Sequence, residues 1–170
     1  MPVFAHLSYL PNLAKIDQDE RHLEGFIHEI ELSLQLGIHS MVVHCGSRDD
    51  LRVGTEQIAH AVDYALHKYE ISLLLENSAG QGNEIGKDLG ELGMIYERVS
   101  KKERVFLCLD TAHLFEAGYD IRLGATWDAI LNEVEGTFGK NKIALLHLND
   151  SKTGLGSRVD RHWHIGKIGR

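Results

Sequence analysis

The sequence has no run approaching the roughly 18 consecutive apolar residues of a transmembrane helix, so a helical membrane protein is excluded and no membrane partner is expected. Its start, MPVFAHLSYL, lacks a basic segment followed by an apolar core, so no secretory leader is read and a cytoplasmic location is expected. Cysteine is scarce. Cys45 and Cys108 form neither a CxxC pair nor a disulfide framework, and each adjoins an apolar run, as buried, inert thiols in a reducing compartment do. Positive charge is also short: 18 Lys and Arg face 25 Asp and Glu, a net of -7, which argues against holding nucleic acid through overall charge. The balance is uneven, because from Asn141 to Arg170 six basic residues stand against two aspartates. That end is either a localised phosphate-binding surface or a solvated tail. The only prolines, Pro2 and Pro11, fall outside every periodic segment, and no low-complexity linker divides the chain. Residues 1–170 therefore read as one domain.

What is present is an ordinary globular composition, 43% hydrophobic and 25% charged, with an excess of histidine, 11 residues. Histidine serves as a metal ligand and as an acid or base near neutral pH, so its positions matter more than its number. Leu23, Phe26, Ile27, Ile30 and Leu34 recur at helical spacing, and Gly37 can end that helix. The apolar run SMVVH follows, then a helix through Ile58, Val62 and Leu66, then ISLLLE. A helix through Leu89, Leu92, Ile95 and Val99, the run RVFLCLD, a helix near Trp127 to Val134 and the run KIALLHLN complete the alternation. Amphipathic helices alternating with nearly continuous apolar strands predict βα units around a parallel sheet buried on both faces.

Each run ends on a residue able to ligate a metal. His6, His44, Glu76, Asp110 and His147 stand at intervals of 32 to 38 residues. In a parallel barrel the C-terminal strand ends share one face, the face that carries active sites, so these five side chains are expected to converge. A polar residue at one strand end is often only a cap for the next helix. Five of five, all of metal-ligating type, point instead to a metal site. DTAH adds His113 three residues beyond Asp110, where the strand is expected to become a loop; the two either serve one ion or two neighbouring ions, or Asp110 caps the next helix and His113 is solvated. Asp160 and His162, at i and i+2, can share one side of an extended segment; His164 is an alternative to His162.

SYLPNLA, VVHCGSR, LLLENSAGQGNEIG, CLDTAHLFEAGYDIR and HLNDSKTGLGSRVDRHWHIG together closely resemble the endonuclease IV family of abasic-site repair nucleases, in family order and over almost the whole chain. The resemblance implies a TIM barrel with three zinc ions and ligands matched residue by residue. His6 and His44 match the imidazoles of one zinc, and Glu76 the carboxylate bridging it to a second, which makes Glu76 the expected catalytic residue. Asp110 and His147 match the second zinc; His113, Asp160 and His162 match the third. Manganese is a plausible substitute at the carboxylate-rich positions. The implied partner is duplex DNA with abasic sites, opened by Tyr9 and Leu10 and held at its phosphates by Lys152, Arg158 and Arg161.

The chain departs from the pattern in length. A barrel of this type needs about 250 residues; five to six of its eight βα units are expected here, and the family's final glutamate ligand has no counterpart. One to two firmly held zincs are therefore expected. The resemblance implies a monomer, whereas two open sheet edges would favour self-association. The expected activity is hydrolysis of the phosphodiester 5′ to an abasic site; the alternative is a shortened metal- or DNA-binding remnant with little or no catalysis. A sugar isomerase or epimerase on a related barrel is disfavoured by GSRVDRH.

Overall fold

The apolar runs assemble into one parallel sheet of β1 Ala5–His6, β2 Ser40–His44, β3 Ser72–Glu76, β4 Val105–Asp110 and β5 Ile143–His147, in the order 1-2-3-4-5. The computed structural model describes residues 1–168, so Arg170 of the basic end lies outside the described residues. Sequential order with every neighbouring pair parallel is what repeated βα units produce. With its helices the sheet forms part of a TIM barrel, five strands of the eight.

Between the strands lie α1 Arg21–Gln35, α2 Leu51–Lys68, α3 Leu89–Arg98, and the pair α4 Thr111–Ala117 and α5 Gly124–Phe138. Local chemistry sets their ends. Asp50 and Asp88 cap α2 and α3 by accepting from Val53 N and Glu91 N. The α1 helix closes with Ile38 N on Ser33 O and Gly37 N on Leu34 O, a Schellman arrangement that needs the left-handed backbone Gly37 supplies at φ 73.

The two faces of the sheet carry different chemistry. Met41, Val43, Leu73, Leu75, Leu107 and Leu109 point toward the helices and join Ile58, Val62, Leu66, Leu92 and Ile95 in the main core. The alternate residues Val42, Leu74 and Cys108 form a smaller apolar layer on the opposite face with Phe4, Phe106 and Leu145. Side chains in a strand repeat every second residue. The next residues on that second face are His44, Glu76, Asp110 and His147, and His6 joins them because it registers with Val42. A slip of one residue would turn all of them into the helix-packed core.

Two local expectations change. The strand ending in Asp110 does not run into a loop: Asp110 closes β4 and also caps α4, accepting from His113 N at 3.0 Å. The cap fixes His113 one turn into a helix. Beyond β5, the basic end forms a small antiparallel hairpin, β6 Asp150–Ser151 with β7 His162–Trp163. Among the described residues β1 and β5 are the sheet's edges, and Leu146, on the helix side of β5, is 51% exposed.

Candidate metal centre

Glu76 is buried to 1% exposure at the centre of a ring of imidazoles. Its Oε2 lies 3.0 Å from His6 Nε2 and 3.4 Å from His44 Nε2, and its Oε1 lies 2.7 Å from His147 Nδ1. The strands dictate this grouping. His44 and Glu76 are register partners, as are Asp110 and His147. Asp110, fully buried, lies 3.8 Å from both His147 Nδ1 and His162 Nε2. His113 Nε2 is 3.1 Å from His162 Nε2 and 3.6 Å from Asp160 Oδ1, and His162 is 3.4 Å from Asp160. All eight residues singled out as ligands thus gather in one cluster. Two sets within it, His6, Glu76, His147 and Asp110, His113, His162, have donor atoms within 4.8 Å of one another and could hold a metal ion.

Backbone carbonyls determine which imidazole nitrogens are free. His6 Nδ1 lies 2.8 Å from Leu7 O, and His113 Nδ1 lies 2.8 Å from Asn77 O. A carbonyl can only accept, so both Nδ1 atoms carry hydrogen and each Nε2 turns its lone pair into the cluster. Two electron-pair-bearing atoms 3.0 Å apart, such as His6 Nε2 and Glu76 Oε2, need a proton or a cation between them.

Without a metal, protons take that place. The bond to Glu76 raises the pKa of His6. Burial opposes protonation of His113, but Asp160, Asp110 and Glu76 outweigh it and push that imidazole up to about 9. Burial would likewise raise Glu76, yet its bonds to His147 and His6 hold it well below the usual carboxylate range. Asp160 is held low by His113, while burial lowers His44 and leaves it a neutral donor. Three carboxylates in one cluster form a site that attracts positive charge and, bare, repels a polyanion.

A cavity of about 170 Å³ opens beside the cluster, lined by Tyr9, His44, Ser78, Glu84, His113 and Asp160. Tyr9 stacks on His44 with ring centroids 5.0 Å apart and is 78% exposed; Leu10 is 86% exposed. Lys152, Arg158 and Arg161 lie exposed on or between the hairpin strands, at the same end of the molecule as Asp160 and His162. The Lys152 ammonium sits 4.0 Å over the Trp163 ring. His164 is exposed and packs edge-on against Trp163 rather than within the cluster. Cys45 and Cys108 are buried, and burial pushes the Cys45 thiol up to about 12, so neither is a thiolate ligand near neutral pH.

Sequence reading missed the residues that orient the donors. Asn77 binds the backbone of Asp110 on both sides, Asn149 Nδ2 donates to Asp110 Oδ2 at 2.6 Å, and Thr111 Oγ1 accepts from Asn149 N at 2.8 Å. Asn77 and Asn149 each lie within two residues of an expected ligand, in ENSAG and HLND. That adjacency is the signal that could have found them.

Comparison with known proteins agrees with this architecture. Residues 1–169 match the family model of the xylose isomerase-like TIM barrel. The probable endonuclease 4 of Methanoculleus marisnigri is 38% identical over 176 residues, covering 99% of this chain and 62% of that protein. The crystal structure of endonuclease IV from Thermus thermophilus superposes with a TM-score of 0.78 at 33% identity, over 96% of this chain and 58% of that one. A D-tagatose 3-epimerase-like protein gives a TM-score of 0.75 at 18% identity, over 98% of this chain and 61% of that one, and shares the fold alone. The chain spans about three fifths of the length of the relatives it matches.

Proposed function

Because the chain belongs to the xylose isomerase-like TIM barrel family, and is similar there to endonucleases IV, we propose that it is a zinc-dependent phosphodiesterase that cuts duplex DNA 5′ to an abasic site. The observation that carries this reading is the convergence of eight ligand-type side chains from five strand ends, one helix and one hairpin, with His6 and His113 held in the tautomer that leaves Nε2 free.

The donor set supports zinc. Zinc binds imidazole and carboxylate at about 2.0 to 2.2 Å in a tetrahedron, whose ligands then stand about 3.3 Å apart. Separations of 3.0 and 3.4 Å about Glu76 Oε2, and of 3.1, 3.4 and 3.6 Å among His113, His162 and Asp160, match that spacing. We assign His6, His44 and Glu76 to one ion, Glu76, Asp110 and His147 to a second, and His113, Asp160 and His162 to a third, with manganese as a substitute where carboxylates dominate. When bound, such ions neutralise a phosphate and lower the pKa of water toward neutrality.

The chain's own residues do the rest. Glu76, sharing its two oxygens among several imidazoles, is the bridging and catalytic carboxylate. Tyr9 and Leu10, exposed beside the cavity, enter the duplex at the lesion, and Lys152, Arg158 and Arg161 hold phosphates. The test is a labelled duplex with one abasic analogue, treated with chelator-stripped protein with and without zinc. The proposal requires zinc-dependent cleavage 5′ to the analogue, leaving a 3′-hydroxyl that a polymerase can extend. Cleavage of neither this duplex nor any other phosphodiester, with any divalent ion, would overturn it.

A second reading, a chain that holds ions and DNA without turnover, is favoured by the sharing of donors: the second ion has Asp110 and His147 and otherwise borrows Glu76 from the first. Zinc uptake and DNA binding without cleavage in the same assay would select it.

A further inference from the structure

Glu116 is fully buried on α4, three residues beyond His113, and the proposed chemistry makes no use of it. A buried carboxylate is unfavourable unless hydrogen bonds compensate. All of those bonds go to one oxygen, and all come from one segment: Oε1 accepts from Ser151 Oγ at 2.5 Å, Arg161 N at 3.0 Å and Thr153 Oγ1 at 3.4 Å. Oε2 is buried without a hydrogen-bond partner among the described residues.

The backbone of the same helix adds two more contacts to that segment. Glu116 O accepts from Arg158 N and Phe115 O from Gly156 N, each at 3.0 Å. Arg158 is held there at φ 52, a left-handed conformation few non-glycine residues adopt without support. The segment from Ser151 to Arg161 is thus fastened to α4 at five points. Arg161, whose N–H reaches the carboxylate, lies between Asp160 and His162. The helix that supplies His113 therefore also anchors the strand of chain that brings Asp160 and His162 to it.

We propose that Glu116 is the positioning residue of the third ion set, holding Asp160 and His162 at His113 and so setting the affinity of the ion those three bind. This rests on the metal-centre reading above. Glu116 touches neither ion nor substrate; it acts through the hairpin, in the way that hydrogen-bond partners of ligands tune metal sites.

Two measurements on the full chain test it. In the first, chelator-stripped wild type, Glu116→Ala, Glu116→Gln and Ser151→Ala are titrated with zinc against a competing chelator. Glu116→Ala should weaken one zinc site by about 10- to 100-fold and leave the others unchanged. Glu116→Gln keeps an accepting oxygen and should recover most of the affinity. Ser151→Ala removes one of the three bonds to Glu116 Oε1 from the hairpin side, together with the bond Ser151 Oγ accepts from Thr153 N at 2.9 Å, leaves α4 intact, and should shift the same site in the same direction by less. In the second, amide hydrogen exchange of metal-free protein should be faster at Arg158 and Arg161 in Glu116→Ala. Unchanged zinc affinities, or unchanged exchange at both amides, would overturn the proposal. A wild type that takes up no zinc would overturn the metal-centre reading and the affinity claim with it, and exchange would then decide the anchoring alone.

Discussion

Asn77 and Asp110, 33 residues apart, are joined at two points: Asp110 N donates to Asn77 Oδ1 at 2.7 Å, and Asn77 Nδ2 donates to Asp110 O at 3.2 Å. The clamp stands just beyond the last β3 to β4 register pair, Glu76 with Cys108, and carries the pairing past the end of the ladder. Asn77 O also accepts from His113 Nδ1. One amide residue therefore orients Asp110 and His113 while following Glu76 in the chain.

Asn77→Ala should destabilise the protein by about 2 to 4 kcal/mol, because it leaves a buried N–H without an acceptor and removes a second buried bond. Urea unfolding of the metal-free protein measures this. A change under about 0.5 kcal/mol, the range of ordinary surface substitutions, would show that the clamp is dispensable.

The proton and the metal compete for the same cluster, and pH separates them. The carboxylates around His113 push its imidazole up to about 9 from an ordinary 6.5, so its stabilisation is complete below about pH 6.5 and is lost as pH rises through about 9; the bond to Glu76 raises His6 too, so its contribution is likewise complete below about pH 6.5 and lost as pH rises through its own folded value. Glu76 is lowered from 4.5, so its contribution is present above about pH 4.5 and is lost as pH falls through its folded value. From Glu76, His6 and His113, metal-free protein should be most stable between about pH 4.5 and 6.5 and weaken toward pH 9, while His44, lowered by burial, works against stability as pH falls below its ordinary 6.5. Zinc requires deprotonated imidazoles, so its added stabilisation should grow over the same interval. Melting temperatures at pH 5.5, 7 and 9, with chelator and with zinc, should diverge; parallel curves would contradict the competition.

The strand ends were readable from sequence because two periodicities coincide there: an apolar run stops, and the residue that stops it is ionisable. That pattern located His6, His44, Glu76, Asp110 and His147 at the last position of each strand. The α4 helix was readable only as the alternative in which Asp110 caps the next helix, since Asp110 serves as both strand end and cap and leaves no turn signal between them; the burial of His113 was not. The hairpin strands have two residues each, too short for any period. Glu116 and Asn77 take their importance from partners 33 to 45 residues away, and that distance appears only in the folded chain.

Tyr9 and Leu10 are too exposed to contribute to the core, so their substitution by alanine should change stability by less than about 0.5 kcal/mol. If they enter the duplex, each should instead weaken binding to abasic DNA by about 1 to 3 kcal/mol, the usual value of a stacking contact. Lys152→Ala should reduce affinity for damaged and undamaged duplex alike and lower the salt dependence of binding by about one phosphate contact. Fluorescence anisotropy at several salt concentrations distinguishes these roles. Equal effects of Tyr9→Ala on both duplexes would remove it from lesion recognition.

If the converging strand ends form one multinuclear metal centre organised by Glu76, zinc retention depends on that carboxylate. Elemental analysis of zinc-reconstituted wild type and Glu76→Gln, after removal of free metal, measures this dependence. The wild type should retain more than one zinc per chain, and Glu76→Gln, which removes the charge between His6, His44 and His147, should lose at least one while remaining folded. Retention of the same number of zincs by Glu76→Gln, or of none by the wild type, would mean that Glu76 does not organise a multinuclear centre.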